Sequence, residues 1–247
     1  GAALYVVADL VGFVPSELEW QRQSRERKRD LSVPERWSAR RKPWRGSQTW
    51  RYLRDDRYIP EAILRAAIAQ DILREGPHGS MWAAHRDRSG AVTGWEERGP
   101  DWRGYATGGA KVLFRFGPAD GPRLCVAEAA IDAMSLAALE DQRPDTRYLS
   151  TGGGWSPASS EALLDLAVRA DALLVAATDN NAQGESFAAR LKALATDAGC
   201  GFVRLRPELE DWNEVLKARR REKDGKEEER DGCRMPAVRL KGEAPPG

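Results

Sequence analysis

Three acidic residues stand where parallel strands of an open sheet would end. Asp179 is the clearest. The apolar run Leu173-Leu174-Val175-Ala176-Ala177 breaks abruptly into Thr178-Asp179-Asn180-Asn181-Ala182-Gln183-Gly184, and a periodic segment over 186–198 follows. That is the profile of a buried parallel strand, a loop and a helix. A carboxylate at the carboxyl end of such a strand lies where open α/β sheets bind ligands. Glu128 follows a strand-like stretch over 123–127, and Asp211 follows another over 201–205 after a short loop. Neighbouring parallel strands lie about 4.8 Å apart, so carboxylates at their ends can converge. Such a group repels itself and is stabilised by a hard divalent cation. Mg²⁺ takes one or two carboxylates, several waters and often phosphate oxygens, so the arrangement suggests phosphate-ester chemistry. Taken singly, each acid reads better as a helix N-terminal residue stabilised by the macrodipole; three at one sheet edge shift the reading toward a site.

The elements around these acids follow an α/β order. The stretch 123–127 leads through Glu128 to a helix over 129–140. Arg147-Tyr148-Leu149-Ser150 is a second strand, closed by Thr151-Gly152-Gly153-Gly154. Ser156 and Pro157 suit the N-cap and first position of a helix reaching residue 169. The Asp179 strand is third and 201–205 fourth, and a last helix opens near Asp211. Alternating strands and helices with short links imply a parallel sheet with helices on both faces.

Upstream, Ile59-Pro60-Glu61 opens a helix with a stripe of Ile63, Leu64, Ala67, Ile68 and Leu73, ended by Gly76-Pro77-His78-Gly79. Strand candidates at 81–84 and 91–96 flank Asp87-Arg88-Ser89-Gly90 and read as a hairpin. Residues 111–116 form a further strand. The glycines at 104, 108 and 109 do not make a phosphate loop, because Lys111 does not follow the last glycine directly and Val112 stands where Ser or Thr is needed. Residues 22–57 hold thirteen Lys or Arg against five Asp or Glu, with Trp37, Trp44 and Trp50 among them. Basic residues interleaved with aromatics can track a phosphate backbone and stack bases, which nominates Arg40, Arg41, Lys42, Trp44 and Arg45. A solvated charged face with the indoles packed on a neighbouring surface is the plainer reading of this segment. Arg40-Arg41-Lys42-Pro43 and Ser47-Gln48-Thr49 suggest irregular structure. The expected organisation is a basic arm over 1–58, a small α+β unit over 59–119, an α/β domain over 120–217, and a charged, disordered tail over 218–247.

Bulk composition narrows the classes. The 247 residues carry 39 basic and 38 acidic side chains, so net charge makes no case for nucleic acid and only its distribution can. Cys125, Cys200 and Cys233 are too far apart for a disulfide framework or a zinc site, which suits the cytoplasm. Two histidines, His78 and His85, leave no HExxH motif and no Ser/His/Asp set. The run 4–10 is too short to span a membrane.

Residues 123–217 resemble a Toprim domain, the catalytic domain shared by bacterial and phage-type primases, topoisomerases and OLD-type nucleases. The resemblance rests on Val126-Ala127-Glu128-Ala129-Ala130-Ile131-Asp132, Ser150-Thr151-Gly152-Gly153-Gly154, Thr178-Asp179-Asn180-Asn181-Ala182-Gln183-Gly184 and Glu210-Asp211-Trp212-Asn213. It implies a Rossmann-like sheet, Glu128 as general acid or base, Asp179 as a Mg²⁺ ligand and Asp211 as an auxiliary ligand, with Mn²⁺ a substitute ion. Asp132, one helical turn beyond Glu128, is either a supporting group or a helix cap. Residues 59–119 resemble, more softly, the uncharacterised domain that often precedes Toprim in plasmid and mobile-element proteins. Asn181 departs from the family, which has a second Asp there. Its amide oxygen can still meet a hard cation but is neutral, so the fully ionised trio carries three negative charges where the family would have four.

The expectation is therefore a primase-like, Mg²⁺-dependent nucleotidyl or phosphodiester-transfer enzyme of DNA replication or mobilisation. Its partners would be single-stranded DNA held by the basic arm and a replication or mobilisation protein, with no membrane. The rivals are a Toprim-fold nucleic-acid-binding module without turnover, favoured by Asn181, and a Rossmann-like nucleotide binder, disfavoured because no GxGxxG follows the first strand.

Overall fold

The computed structural model describes residues 30–232, with side chains as far as residue 225. The run 4–10, the arm before residue 30 and the part of the expected tail beyond residue 232 lie outside the described residues; residues 218–232, expected to be disordered, instead continue the helix Trp212–Gly232.

From Val33 on, the arm is built into the fold. Helix α1 (Val33–Ser38) carries Trp37 into a cluster where it meets Trp95 at 6.2 Å between ring centroids, and Trp95 stacks on Trp82 at 4.0 Å. A short helix α2 (Gln48–Arg51) runs into a π-helical turn (Tyr52–Asp56). This corrects the irregular structure expected around residues 47–49. Ser47 caps the helix, its Oγ accepting the Trp50 N–H at 3.2 Å. Trp50 is buried with it, whereas Trp44 remains 56% exposed.

Helix α3 (Glu61–Ala69) is shorter than its apolar stripe suggests. The chain reverses at Asp71, where φ is 59°, and Leu73–Glu75 becomes strand β1. Leu73 thus leaves the helix to pair with Ala83. All three residues of β1 are buried, so cross-strand packing outweighs a pattern too short to show alternation. Strands β1, β2 (Met81–Arg86), β3 (Val92–Arg98) and β4 (Arg103–Tyr105) form an antiparallel sheet in that order. The expected hairpin joins β2 to β3. Asp87 Oδ1 fastens its turn by accepting the Ala91 N–H at 3.0 Å.

The second sheet has the order β5 (Phe114–Phe116), β7 (Thr146–Ser150), β6 (Arg123–Ala127), β8 (Leu173–Ala176), β9 (Gly201–Arg204). The last four are parallel, and β5 runs antiparallel at the edge beside β7. The strand expected over 111–116 is therefore shorter. It belongs to this sheet, not to the smaller one.

Helices cover both faces, as expected. Cys125, Ala127, Tyr148 and Val175 pack with α4 (Ala130–Leu139) and with Trp212 and Leu216 of α7 (Trp212–Gly232). Leu124, Val126, Leu149, Leu174 and Ala176 pack with Leu163 of α5 (Pro157–Ala167) and Leu191 of α6 (Ala182–Ala198). Burial on both sides is why β6 and β8 read as unbroken apolar runs. The first of these cores continues through Phe114 and Phe116 to Ile59, Leu64, Leu73 and Met81, so apolar packing runs unbroken from the small sheet to the large one.

Candidate functional site

Glu128, Asp179 and Asp211 sit at the carboxyl ends of the parallel strands and line one cleft of about 660 Å³. Glu128 follows β6 directly, and its Oε1 accepts the Asp179 backbone N–H at 3.3 Å. Burial raises its pKa, with that N–H and Arg204 opposing. Asp179 is raised further, to about 7, first by burial and then by the charges of Glu128, Asp211 and Glu210. Its Oδ1 is buried without a hydrogen-bond partner.

The loop bearing Asp179 is held from several sides. Arg204 at the end of β9 donates to the carbonyls of Ala176, Thr178, Asp179 and Leu205 at 2.7–3.0 Å. Thr178 Oγ1 donates to the Gly184 carbonyl at 2.7 Å, and Asn180 N–H reaches the Glu210 carbonyl at 2.8 Å. Gly184 lies against the Asp179 backbone so closely that an added Cβ would stand 2.0 Å from the Asp179 carbonyl oxygen. The glycine is what lets α6 begin directly under the acid.

Asp211 caps α7, its Oδ1 accepting the Glu214 N–H at 2.7 Å. The Trp212 indole N–H on the same turn donates to the Ala177 carbonyl at 2.8 Å and ties α7 to β8. Asn213 points inward. Its Nδ2 donates to the Arg57 carbonyl and to Ser135 Oγ, and its backbone N–H reaches Asp132 Oδ1 at 3.3 Å. Asp132 thus does not cap its own helix; it accepts an N–H at the start of α7. It is a buried acid of the cleft, pushed well up by burial and by the charges of Asp211, Asp179 and Glu96.

Asn181 stands apart from this group. It does not line the cleft, and its Oδ1 accepts the Gly184 N–H at 2.9 Å as the N-cap of α6. Among the described residues, no three His, Cys, Asp or Glu side chains are grouped closely enough to hold a metal ion by themselves. The carboxylates present, with the orphaned Asp179 Oδ1, fit an ion that takes one or two protein oxygens and completes its shell with water and phosphate.

The same cleft has a basic wall that strand patterning did not reveal: Arg57, Arg98, Arg103 and Lys111. Arg98 Nε donates to Glu96 Oε1 at 2.6 Å, and Glu96 Oε2 accepts the Ala130 N–H at the start of α4. Lys111 Nζ donates to the Gly152 carbonyl at 3.0 Å and sits over the Tyr105 ring. Gly152 and Gly153 have φ of 69° and 68° and form the turn read from sequence. The Gly153 N–H is taken by the Glu128 carbonyl. A side chain at Gly152 would collide with His85, which lies fully buried beneath it.

The arm residues nominated from sequence lie outside the cleft. Arg41 pairs with Glu75, Lys42 with Asp71 and Arg45 with Glu61, while Arg40 lies over the Trp82 ring. All three cations are largely exposed, so the Lys42 and Arg45 pairs contribute little energy and remain open to exchange for phosphate, while Arg41 meets the buried Glu75.

The Toprim-like family model matches residues 125–216, spanning every acid of the cleft edge. Residues 125–216 are a Toprim-like domain. A protein family of unknown function (DUF3991) matches residues 51–121, which contribute the small sheet and the basic wall. No curated protein sequence matches the chain. Similar solved structures include the primase fragment of the bacteriophage T7 primase-helicase protein, at 18% identity and TM-score 0.43, covering 64% of this chain and 66% of that one. The DnaG primase catalytic domain bound to ssDNA aligns at 14% identity and TM-score 0.47, covering 69% of each chain. The zinc-binding and RNA polymerase domains of the Aquifex aeolicus primase align at 18% identity and TM-score 0.41. There the alignment covers 68% of this chain and 45% of the other, so the chain spans less than half of that relative's length. No helix among the described residues is long and apolar enough to cross a membrane.

Proposed function

We propose that this chain is a primase-like protein of DNA metabolism that transfers nucleotidyl or phosphodiester groups at the Toprim-like cleft with the help of Mg²⁺ or Mn²⁺. One observation carries the reading. The acidic sheet edge (Glu128, Asp179, Asp211) and a set of cations (Arg57, Arg98, Arg103, Lys111) line one cleft. The acids suit a metal cation, and the basic side chains suit the phosphates that would share it.

Asp179 and Asp211 are the residues that would hold the ion, with Glu128 beside them. When bound, it supplies charge neutralisation at the phosphoryl group. Glu128 is the group for proton transfer, because it stands beside Asp179 in the cleft and burial raises its pKa above the ordinary carboxyl range, the direction that favours holding a proton. Lys111, tethered over the Gly152 carbonyl, and Arg103 orient phosphate oxygens. Arg98 cannot move freely, since Glu96 holds it. Single-stranded DNA is the proposed substrate strand, with exposed Trp44 and the neighbouring cations extending its path.

A second reading, a Toprim-fold module that binds nucleic acid without turnover, is favoured by Asn181, whose side chain is engaged in capping α6. Metal-dependent primer synthesis and strand cleavage on single-stranded DNA separate the two. Wild-type product that disappears in Glu128→Gln supports the enzyme. Salt-sensitive DNA binding unchanged in Glu128→Gln, with no product from wild type or from Asn181→Asp, leaves the binding module. An aspartate at 181 can keep the cap while adding the missing charge, so this variant tests the charge alone.

A further inference from the structure

A second pocket lies on the α5 face of the large sheet, with a volume of about 360 Å³ and no residue in common with the cleft. It is lined by Arg88, Arg115, Arg147, Ala162, Asp165 and Leu166. Strand pairing explains the placement. Phe116 is opposite Tyr148 and Arg115 opposite Leu149 in the β5–β7 ladder. Phe114, Phe116 and Tyr148 turn toward the core shared with the small sheet. Alternation therefore sends Arg115, Arg147 and Leu149 to the other face, toward α5. Leu149 meets the apolar core there, but the two arginines reach the space beside α5.

These arginines are poorly served by the protein. Arg115 and Arg147 each bury an Nε with no hydrogen-bond partner. Arg147 makes one side-chain bond, from Nη1 to the Ala119 carbonyl at 3.1 Å. Asp165 is the carboxylate of the pocket, and Arg88 already engages both of its oxygens. Three guanidiniums and one carboxylate line the pocket, and Asp87 is a further acid acting on Arg115, so positive charge is in excess there. Burial, Arg115 and Arg169 together push the Arg147 pKa down to about 10, and burial lowers that of Arg115. Partly buried guanidinium groups without partners are costly, and an oxyanion placed between them would satisfy donors the chain leaves open. Guanidinium forks match the oxygens of a phosphate group in bidentate geometry. The volume falls at the small end of ligand pockets, enough for a phosphate and little attached to it.

We propose that this pocket is a phosphate-binding site, separate from the Toprim-like cleft, in which Arg115 and Arg147 grip the anion and Arg88 closes over it. The phosphate comes either from a small phosphorylated molecule or from the end of a nucleic-acid strand.

Thermal unfolding of the full chain is followed with inorganic phosphate, ATP, and a single-stranded oligodeoxynucleotide with and without a 5′-phosphate, against chloride at equal ionic strength. Wild type is expected to gain stability with at least one phosphate probe beyond the chloride control. Arg115→Gln should weaken that response roughly tenfold, the size expected for losing a charge-assisted hydrogen bond. Leu166→Glu, which places a carboxylate beside the guanidiniums without removing either, should abolish it. A response to inorganic phosphate or ATP identifies a small ligand. A response only to the 5′-phosphorylated strand identifies a strand end. Lys111→Gln should leave intact the response to inorganic phosphate and the increment that a 5′-phosphate adds over the unphosphorylated strand, because Lys111 is not in this pocket, so failure of the cleft reading does not remove this one. No wild-type response to any probe, or an equal response in Arg115→Gln and Leu166→Glu, overturns the proposal.

Discussion

Glu96 Oε2 accepts the backbone N–H of Ala130 at 2.9 Å, so a carboxylate from the small antiparallel sheet caps the helix that starts just after Glu128. The other oxygen of Glu96 holds Arg98 of the basic wall at 2.6 Å. One buried side chain, 1% exposed, therefore fixes the acidic edge and the basic wall relative to each other. The small sheet is part of the cleft's architecture.

Removing that carboxylate strands two partners at once. Glu96→Ala leaves an N-terminal N–H of α4 uncapped and the Arg98 charge unpaired, and is expected to cost about 2–4 kcal/mol. Glu96→Gln keeps an acceptor for Ala130 and should cost less. Urea unfolding midpoints at constant slope measure both.

Gly184→Ala tests the close approach under Asp179. A methyl 2.0 Å from the Asp179 carbonyl must push α6 away from the loop. A loss of about 1–3 kcal/mol is expected, as for other overpacked sites. Metal-dependent activity should fall with it, because the displaced residue is Asp179. Normal stability in this variant would contradict the packing described.

His85 predicts an acid limit to stability. Burial, with Lys111 adding to it, lowers its pKa to about 3, and both ring nitrogens lack partners. The unfolded chain, with a histidine near the ordinary 6.5, binds the proton more readily than the folded one. Stability should therefore rise with pH from about 3 to 6.5 and level off above, by on the order of a few kcal/mol. His85→Phe, which keeps the edge contact with Tyr105, should flatten that part of the profile in a urea-midpoint series.

Asp179 has the opposite slope. Its folded pKa is raised to about 7, so ionisation is disfavoured in the native cleft and stability should fall as pH climbs from about 4 to 7. In the absence of divalent cation, Asp179→Asn is expected to match wild type near pH 4 and to be more stable at pH 8. The gain should be on the order of 1 kcal/mol once solvent screening is allowed for. Added Mg²⁺ should stabilise wild type at pH 8 and have little effect on the variant.

Lys111→Gln should weaken single-stranded DNA binding and lower the salt slope by about one ion. Trp44→Ala should weaken binding with no change in slope, since stacking carries no counterion. Fluorescence anisotropy across a salt series distinguishes the cleft from the arm. An unchanged slope in Lys111→Gln would remove that lysine from the phosphate path.

The α/β half was legible because its chemistry is local. The strands β6 and β8 are buried on both faces and therefore apolar without interruption. A strand that ends at Glu128 or Asp179 has one place to put that acid. Ser156 and Pro157 announced α5 in the same local way.

Tertiary structure decided the rest. Leu73 could join a helical stripe or a strand, and pairing with Ala83 chose the strand. Phe114 and Phe116 could pair in either sheet, and partners on β7 chose the larger one. Asn181 occupies a motif position by sequence, yet its oxygen turns to the Gly184 N–H, a choice set by where α6 begins. The basic wall left no linear signature. Arg57, Arg98, Arg103 and Lys111 come from separate elements, and charge-bearing positions on half-exposed strands look like any solvated face until the fold brings them into one cleft with the acids. Sequence by itself determined which residues end the parallel strands, because burial writes itself into composition. What shares the cleft with them depended on contacts between residues far apart in the chain, which no local pattern encodes.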